Sequence, residues 1–321
     1  MAGVTEAPFR AICKRFGAGL TFTEMVSARG LHHNPDSRTS QLLLAIAPEE
    51  RPCAVQLFGS EPDILAQQAA RLARELGDSV LCFDLNMGCP VTKGVAKGEG
   101  SALMRTPELA ASIVEAVATA VAPVPVSVKF RSGWDAESIN AVQFAQLMEA
   151  SGAQALAVHG RTRDQLYHGK ADWNIIAQVK AAVSVPVMGS GDVFSPHDVV
   201  TMIEATGVDA VMVARGAQGN PWMFSRTRAL LDTGELPEGP TNAERIAVAR
   251  EHATRLVAFA GEHAISRMRK HLSWYTTGMP GATHMRSQVY RCKTLAEFES
   301  LLAEYEAYLE ERELLPRRAA C

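Results

Sequence analysis

The sequence predicts an α/β protein, a (β/α)8 TIM barrel followed by a small C-terminal α-helical domain. Three observations carry that reading. Short apolar, β-rich runs recur along the first two thirds of the chain, and a helical pattern follows each. The runs are continuously apolar rather than alternating, as strands buried on both faces must be. Polar and glycine residues follow every run, whereas a doubly wound open sheet gathers them at a single crossover.

The opening "MAGVTEAPFRAICKRF" reads as a loop and a first helix with no strand before it. Seven runs follow: "LTFTEMV" (20–26), "CAVQLF" (53–58), "VLCFDLN" (80–86), "VPVSVKF" (124–130), "ALAVHG" (155–160), "VPVMGSG" (185–191) and "AVMVARG" (210–216). Between them, Ser60 is placed to cap a helix through "PDILAQQAARLAREL". Thr106-Pro107 offers a cap followed by proline at the first helical position, with Ile113, Val114, Val117 and Val121 on one face. Ser195-Pro196 repeats the device. A complete barrel has eight strands, so the count is one short, and the shortage falls at the N-terminus. The Pro/Gly-rich stretch "TGELPEGPTN" (233–242) marks a boundary. Residues 1–240 are thus expected to form the barrel and 241–321 a domain of three or four helices.

Composition narrows the function classes. Of 321 residues, 47 % are hydrophobic and 21 % charged, with a net charge of −3, which excludes a wholly basic polyanion binder. No apolar run approaches the length of a membrane span, and the start lacks the pattern of a secretory signal. Six cysteines (13, 53, 82, 89, 292, 321) are scattered without a CxxC pair, as expected of reduced thiols in a cytoplasmic protein. Neither a metal nor a stable protein partner is expected. No GxGxxG follows a strand, so no separate dinucleotide domain is expected.

The C-terminal ends of barrel strands form the active face. Here they deliver Glu24 and Ser27, Gln56, Asn86 and Cys89, Lys129 and Arg131, His159 and Arg161, Ser190 with Gly191 and Asp192, and Arg215 with Gly216 and Gly219. One strand-end lysine is ordinarily a surface charge, and one cysteine a small buried hydrophobe. A polar group on every strand end makes a functional face. "GSGDV" and "ARGAQGNPW" are glycine-bearing turns after the last two strands, where barrels commonly hold a phosphate on backbone N–H groups. Cys89-Pro90 opens a loop, residues 91–100, rich in glycine and lysine.

Together "MAGVTEAPFR", "NMGCPVTKGVAKGEGSALM", "SVKFRSGW", "VHGRTRDQLYHGKADW", "VMGSGDV", "ARGAQGNPW" and "MRKHLSWYTTGMPGA" resemble the tRNA-dihydrouridine synthases, closest to the bacterial B type. The resemblance implies an FMN-dependent barrel that reduces the C5–C6 bond of uridines in tRNA, with NADPH reducing the flavin. It implies that Cys89 is the general acid that protonates C5. An ordinary thiol is mostly protonated at pH 7, which suits an acid. The loop 91–100 would be a lid hinged at Gly94, Gly98 and Gly100, with Lys93 and Lys97 meeting RNA phosphate. Gln56, Lys129 and His159 would line the flavin. Ser190, Gly191, Asp192, Ala214 and Arg215 would form the phosphate turns. Asn86 would place the uracil, and Arg161 would belong to the substrate wall. Met1 and Ala2 match the end of the family's first strand, so they too are expected at the flavin. We expect a start codon placed too late. Ala214 stands where the B type has glycine, and Gly94 where a valine is common.

From His263 to Ala296 there is no acidic residue. The window holds Arg267, Arg269, Lys270, Arg286, Arg291 and Lys293 with His271, Trp274, Tyr275 and Tyr290. Cations meet phosphates and rings stack on unpaired bases, so Arg269, Lys270 and His271 are expected at tRNA. Two other readings stay open: a flavoenzyme of free pyrimidines, like the dihydroorotate dehydrogenases, and a non-catalytic RNA-binding protein.

Overall fold

Seven parallel strands run in sequence order across one sheet of the computed structural model, which describes residues 1–312. They are β1 (Val26–Ser27), β2 (Cys53–Phe58), β3 (Val80–Met87), β4 (Val126–Arg131), β5 (Ala155–His159), β6 (Val187–Ser190) and β7 (Ala210–Val211). Each pairs in parallel with its sequence neighbours, and helices lie between successive strands. An order without reversal separates the TIM-barrel class from the doubly wound sheet, whose order turns back on itself.

The strands form where continuous apolar runs were read, with two differences. Of the first run only Val26 joins the ladder, together with Ser27 just after it, while Phe22 makes an isolated bridge to Ala54. Thr23 N–H donates to the Ala54 carbonyl and Ala54 N–H to the Thr21 carbonyl, both at 2.9 Å, so this segment is tied at one point rather than along its length. In the last run the ladder ends at Val211, and Arg215–Ala217 turn into a 3-10 helix. The core is made by strand residues exposed by no more than 2 %, among them Val55, Leu57, Phe83, Leu85, Val128, Phe130, Leu156 and Val158. Burying each such side chain is worth about 1.5–3 kcal/mol.

The helix starts follow local chemistry. Ser195 caps Pro196–Thr206 and forms a reciprocal box with Asp198. Pro107–Val121 starts at its proline, with Ile113, Val114, Val117 and Val121 buried, but Thr106 makes no side-chain cap. Ser60 is corrected: the helix Pro62–Leu76 starts after Glu61, and the Ser60 hydroxyl instead donates to the Lys97 carbonyl at 3.1 Å. That bond ties the β2 loop to the loop after β3.

The chain divides into two compact units, Met1–Arg10 with Ala18–Gly216, and Ala11–Gly17 with the residues from Ala217 onward. The second unit is helical, with Trp222–Thr233, Asn242–Ala260, Met268–Tyr275, Ala282–Val289 and Leu295–Glu310. Arg250 joins two of these helices through Glu299 (2.7 Å) and Glu306 (2.9 Å). Among the described residues no helix is long and apolar enough to cross a membrane.

In the first unit, Arg10 and Glu50 form a buried bidentate pair, with both bonds at 2.9 Å. Arg10 also donates to the Thr5 and Ala45 carbonyls, and Glu50 accepts from Thr21 Oγ1 and Ala47 N–H. Three separate segments, around Thr5–Arg10, Thr21 and Ala45–Glu50, are therefore joined through two side chains. Removing one partner leaves a buried charge, at a typical cost of about 3–5 kcal/mol. Glu50→Ala should lower unfolding stability by that amount in urea. Glu251→Ala, which breaks the half-exposed pair with Arg15 (2.7 Å), should cost about 1 kcal/mol or less. Equal losses in the two variants would show that Glu50 does not anchor the unit.

Candidate active site

At the strand ends of the first unit a chain of hydrogen bonds runs from the sheet interior to Cys89. It begins at Asp84, a fully buried carboxylate in the middle of β3. Asp84 accepts from Ser127 Oγ on β4 (2.7 Å) and from Gln56 Nε2 on β2 (2.6 Å). Burial pushes its carboxyl above the usual range, and the two bonds and nearby Lys129 oppose that rise. With its NH2 group committed to Asp84, the Gln56 amide turns its oxygen to Asn86 Nδ2 at 3.0 Å. Asn86 then uses its own oxygen to accept Gly88 N–H (3.2 Å) and Cys89 N–H (3.0 Å). Each amide orientation follows from the one before it. Thr23 Oγ1 accepts the Gln56 N–H at 2.9 Å.

The far side of Cys89 is set by Gly100. Its φ is +61°, and an added Cβ would lie 2.7 Å from the Cys89 carbonyl oxygen. That oxygen accepts Ser101 N–H at 3.0 Å. Cys89 is therefore held through its backbone on both sides, while its side chain stays partly exposed. The other described cysteines, 13, 53, 82 and 292, are buried; Cys321 lies outside the described residues. Between these anchors the expected lid holds a short helix, Thr92–Val95. Gly98 and Gly100 have positive φ, whereas Gly94 sits inside the helical turn. Lys97 is exposed. Lys93 lies in the turn, and its side chain is outside the described part of the structure.

Lys129 on β4 is the recessed cation of the mouth. Burial pulls it down to about 8, with Arg131 acting in the same direction and Asp84 against it. Arg131 is buried and donates to the Gly88 (2.7 Å), Thr162 (2.8 Å) and Leu166 (3.2 Å) carbonyls. It thus fixes two loops, including the one that leads to Cys89. His159 ends β5. Burial, and then the charges of Lys129, Arg131, Arg161 and Arg215, hold it down at about 2, so it is a neutral imidazole at any ordinary pH.

The ends of β6 and β7 converge on Asp192, at φ +54°. One oxygen accepts Arg161 Nη2 (2.7 Å) and Ala171 N–H (2.8 Å), and the other accepts Arg215 Nη2 (3.1 Å). Ser190 is buried beside this turn. Gly191 has φ +126°, and an added Cβ would meet Ala171 at 2.7 Å and the His159 ring at 3.0 Å. The Arg161 side chain is 2 % exposed and also donates to the His168 and Gly169 carbonyls. Its Nη1 is buried without a hydrogen-bond partner. Two guanidinium groups share one carboxylate, which leaves a net positive charge and an unused donor. A bound anionic group fits this arrangement.

Arg161 is therefore part of the framework of this turn rather than an open substrate wall. Ala214 precedes Arg215 in the β7 turn. At the chain start, the Met1 carbonyl accepts Val4 and Thr5 N–H, and Gly3 N–H donates to Glu24, so Met1 and Ala2 are held in a turn at the barrel's polar face. In the helical unit Arg269 and Lys270 are half-buried on the surface, and the Arg269 guanidinium lies 5.9 Å over the exposed Tyr290 ring. His271 and Tyr275, expected beside them at RNA, are fully buried. His271 packs edge-on to His252 (4.5 Å) and Trp274 (5.2 Å), so it is core rather than contact surface.

The roles of Asp84 and Thr23 do not follow from the sequence, and Arg131 is legible there as a rim residue without its task. An acidic residue inside the apolar run "VLCFDLN" was the available signal for Asp84. Thr23 gave none, because its role is a hydrogen bond across 33 positions of sequence.

The model of the dihydrouridine synthase family matches residues 1–312. The chain belongs to the dihydrouridine synthase family. It is 42 % identical over 303 residues to the probable tRNA-dihydrouridine synthase 1 of Synechocystis, an alignment that spans 94 % of this chain and 83 % of the relative. It is 44 % identical over 315 residues to tRNA-dihydrouridine synthase B of Pseudomonas aeruginosa, spanning 98 % and 92 %. Among solved structures, histamine dehydrogenase from Rhizobium sp. 4-9 shares the fold, with a TM-score of 0.54 at 14 % identity over 77 % of this chain and 46 % of that one.

If Asn86 anchors the loop, Asn86→Ala removes the acceptor of two N–H groups and frees Cys89. One lost buried anchor is worth about 1.4 kcal/mol, or roughly tenfold in the open population. Alkylation of the Cys89 peptide by iodoacetamide, followed by mass spectrometry, should therefore speed up about tenfold. An unchanged rate would show that the amide chain does not position the thiol.

Proposed function

We propose that this protein reduces the C5–C6 double bond of specific uridines in tRNA, as an FMN-dependent enzyme that uses NADPH. The observation that carries the reading is the Asp84–Gln56–Asn86–Cys89 chain. It presents one partly exposed thiol at the mouth of the barrel, just after the strand next to the one that carries the recessed Lys129, and the turns after β6 and β7 add a cationic cluster. The relatives from Synechocystis and Pseudomonas aeruginosa are named as a probable tRNA-dihydrouridine synthase and a tRNA-dihydrouridine synthase, which supports the reaction class.

The residues present fit FMN. Arg161, Asp192 and Arg215, with Ser190, Gly191 and Ala214, would hold its phosphate. The buried, unpartnered Arg161 Nη1 supports that placement. Gln56, Lys129 and His159, with Met1 and Ala2, would line its ring. When bound and reduced by NADPH, FMN supplies the hydride that goes to C6 of the uracil. The chain's residues do the rest. Lys129 would supply a positive charge that stabilises the anion of a reduced flavin. His159, being neutral, can hydrogen-bond there without adding charge. Asn86 orients the uracil. The Cys89 thiol transfers its proton to C5, the atom that becomes basic as C6 gains hydride. The loop 91–100 covers the thiol, with Lys93 and Lys97 meeting RNA phosphate. Residues 241–321 supply a tRNA-binding domain through Arg269 and Lys270.

Cys89→Ala should retain bound flavin and its reduction by NADPH but lose single-turnover reduction of tRNA by about 10²–10⁴-fold, the usual share of a positioned acid. Full activity in that variant would end the assignment. A free-pyrimidine enzyme would reduce uracil or orotate as readily as tRNA, and a non-catalytic binder would hold tRNA without reducing it.

Lys129 is lowered to about 8, so its charge is present below that value and lost above it. The rate should therefore fall as pH rises through about 8. Lys129→Arg should keep its charge and move that fall upward. A pH–rate profile identical in the two proteins would assign the limb to another group.

A further inference from the structure

The loops after β3 to β7 carry two cation–aromatic stacks, in which Arg215 alone has a part in the proposed chemistry and the aromatic rings have none. In the first, Trp134 receives the guanidinium groups of Arg105 (4.9 Å) and Arg163 (4.8 Å) over its ring. In the second, the Arg215 guanidinium lies over Tyr167 (4.9 Å) and over Phe194 (5.0 Å). Tyr167 is 59 % exposed and Phe194 50 %. One loop links the stacks, since Arg163 and Tyr167 lie four residues apart after β5.

That loop is held stiffly. Buried Arg131 donates to the carbonyls of Thr162 and Leu166, and buried Arg161 to those of His168 and Gly169. Tyr167 sits between these anchored peptides. Leu166, 40 % exposed, adopts φ +50°, a conformation that a branched residue accepts only when its surroundings impose it. The fold thus accepts backbone strain and keeps three large apolar side chains (Leu166, Tyr167 and Phe194) in water beside cations. A stability-driven surface would bury those rings or replace them.

We propose that this rim is a track for unpaired nucleotides of the RNA that flank the target base. Exposed rings stack on bases of any identity, and guanidinium groups between them meet the phosphates that link those bases. The reductant also carries an adenine, but a dinucleotide has one such base to offer. Two stacks, joined by one loop and spread over five consecutive strand ends, suit a run of nucleotides. The inference rests on the proposed tRNA substrate. It adds that the barrel grips RNA by itself, through residues other than the basic helices.

The test uses the full chain with flavin bound, and compares wild type with Tyr167→Ala/Phe194→Ala and, separately, with Arg105→Glu. Three quantities are read: the Kd of a fluorescently labelled tRNA, bound flavin by its visible absorbance, and the rate of flavin reduction by NADPH without RNA. Each variant should weaken tRNA binding about tenfold, with flavin content and NADPH-dependent reduction unchanged. An oligouridylate should compete with tRNA for wild type and lose that ability against the double variant. A wild-type tRNA Kd in either variant overturns the track. So does loss of flavin, or a raised KM for NADPH with tRNA binding intact, because the rings would then serve the phosphate turn or the dinucleotide. Wild-type protein that binds tRNA through this rim but never reduces it would overturn the proposed reaction and leave the track standing.

Discussion

The arrangement of the mouth depends on one buried carboxylate. Asp84 sits on a central strand with no exposure, where an isolated charge would be costly. It is tolerated because Ser127 and Gln56 donate to it and Lys129 lies nearby. The consequence is directional. An amide at position 56 could present either end to the mouth, and Asp84 selects one. That choice fixes the orientation of Asn86, and Asn86 fixes the backbone of Cys89. A neutral isostere at position 84 would keep the volume and lose the selection. The position of the thiol is therefore set in the interior of the sheet, three side chains away.

A second constraint is charge. Lys129, Arg131, Arg161 and Arg215 gather at one end of the sheet, and they add to burial in holding His159 down. Asp192 offsets part of this charge but cannot offset all of it, since one carboxylate serves two guanidinium groups. Arg131 and Arg161 spend most of their donors on loop carbonyls, so they act as struts as well as charges. The excess that remains is what an anionic ligand would complete. The backbone is packed closely around the turn: an added Cβ at Gly191 would collide with Ala171 and His159, and one at Gly216 with the Val193 carbonyl.

The strand–helix alternation was legible in the sequence because buried parallel strands have a one-letter signature, an unbroken apolar run. Their order in the sheet followed from the polar groups recurring after each run. What was not legible were features that depend on distant partners. "LTFTEMV" looks like six or seven residues of ladder, yet of these only Val26, with Ser27 just after it, pairs continuously, because the preceding segment is held at Ala54 alone. Ser60 has the composition of a cap and is used across the fold at Lys97. His271 stands between Lys270 and Trp274 in a basic window, but helical periodicity turns it inward beside Leu272 and Tyr275, both fully buried. Sequence proximity reported the charge of that segment correctly and its faces incorrectly.

The same distinction separates the site residues. Gln56, Asn86 and Lys129 lie within the last three residues of their strands, His159 ends one and Cys89 follows one, so their nearness to one rim was legible in the sequence. Arg161 was readable only as present. Its position in the run suggested an open wall, whereas the structure encloses it and makes it hold the loop after β5 from within. A buried arginine that donates to successive carbonyls stiffens what it touches, and what it touches here carries Tyr167 outward. Burial of one residue and exposure of its loop neighbour are thus one design: the interior cation sets the loop, and the set loop presents a ring that an unanchored chain would fold away from water.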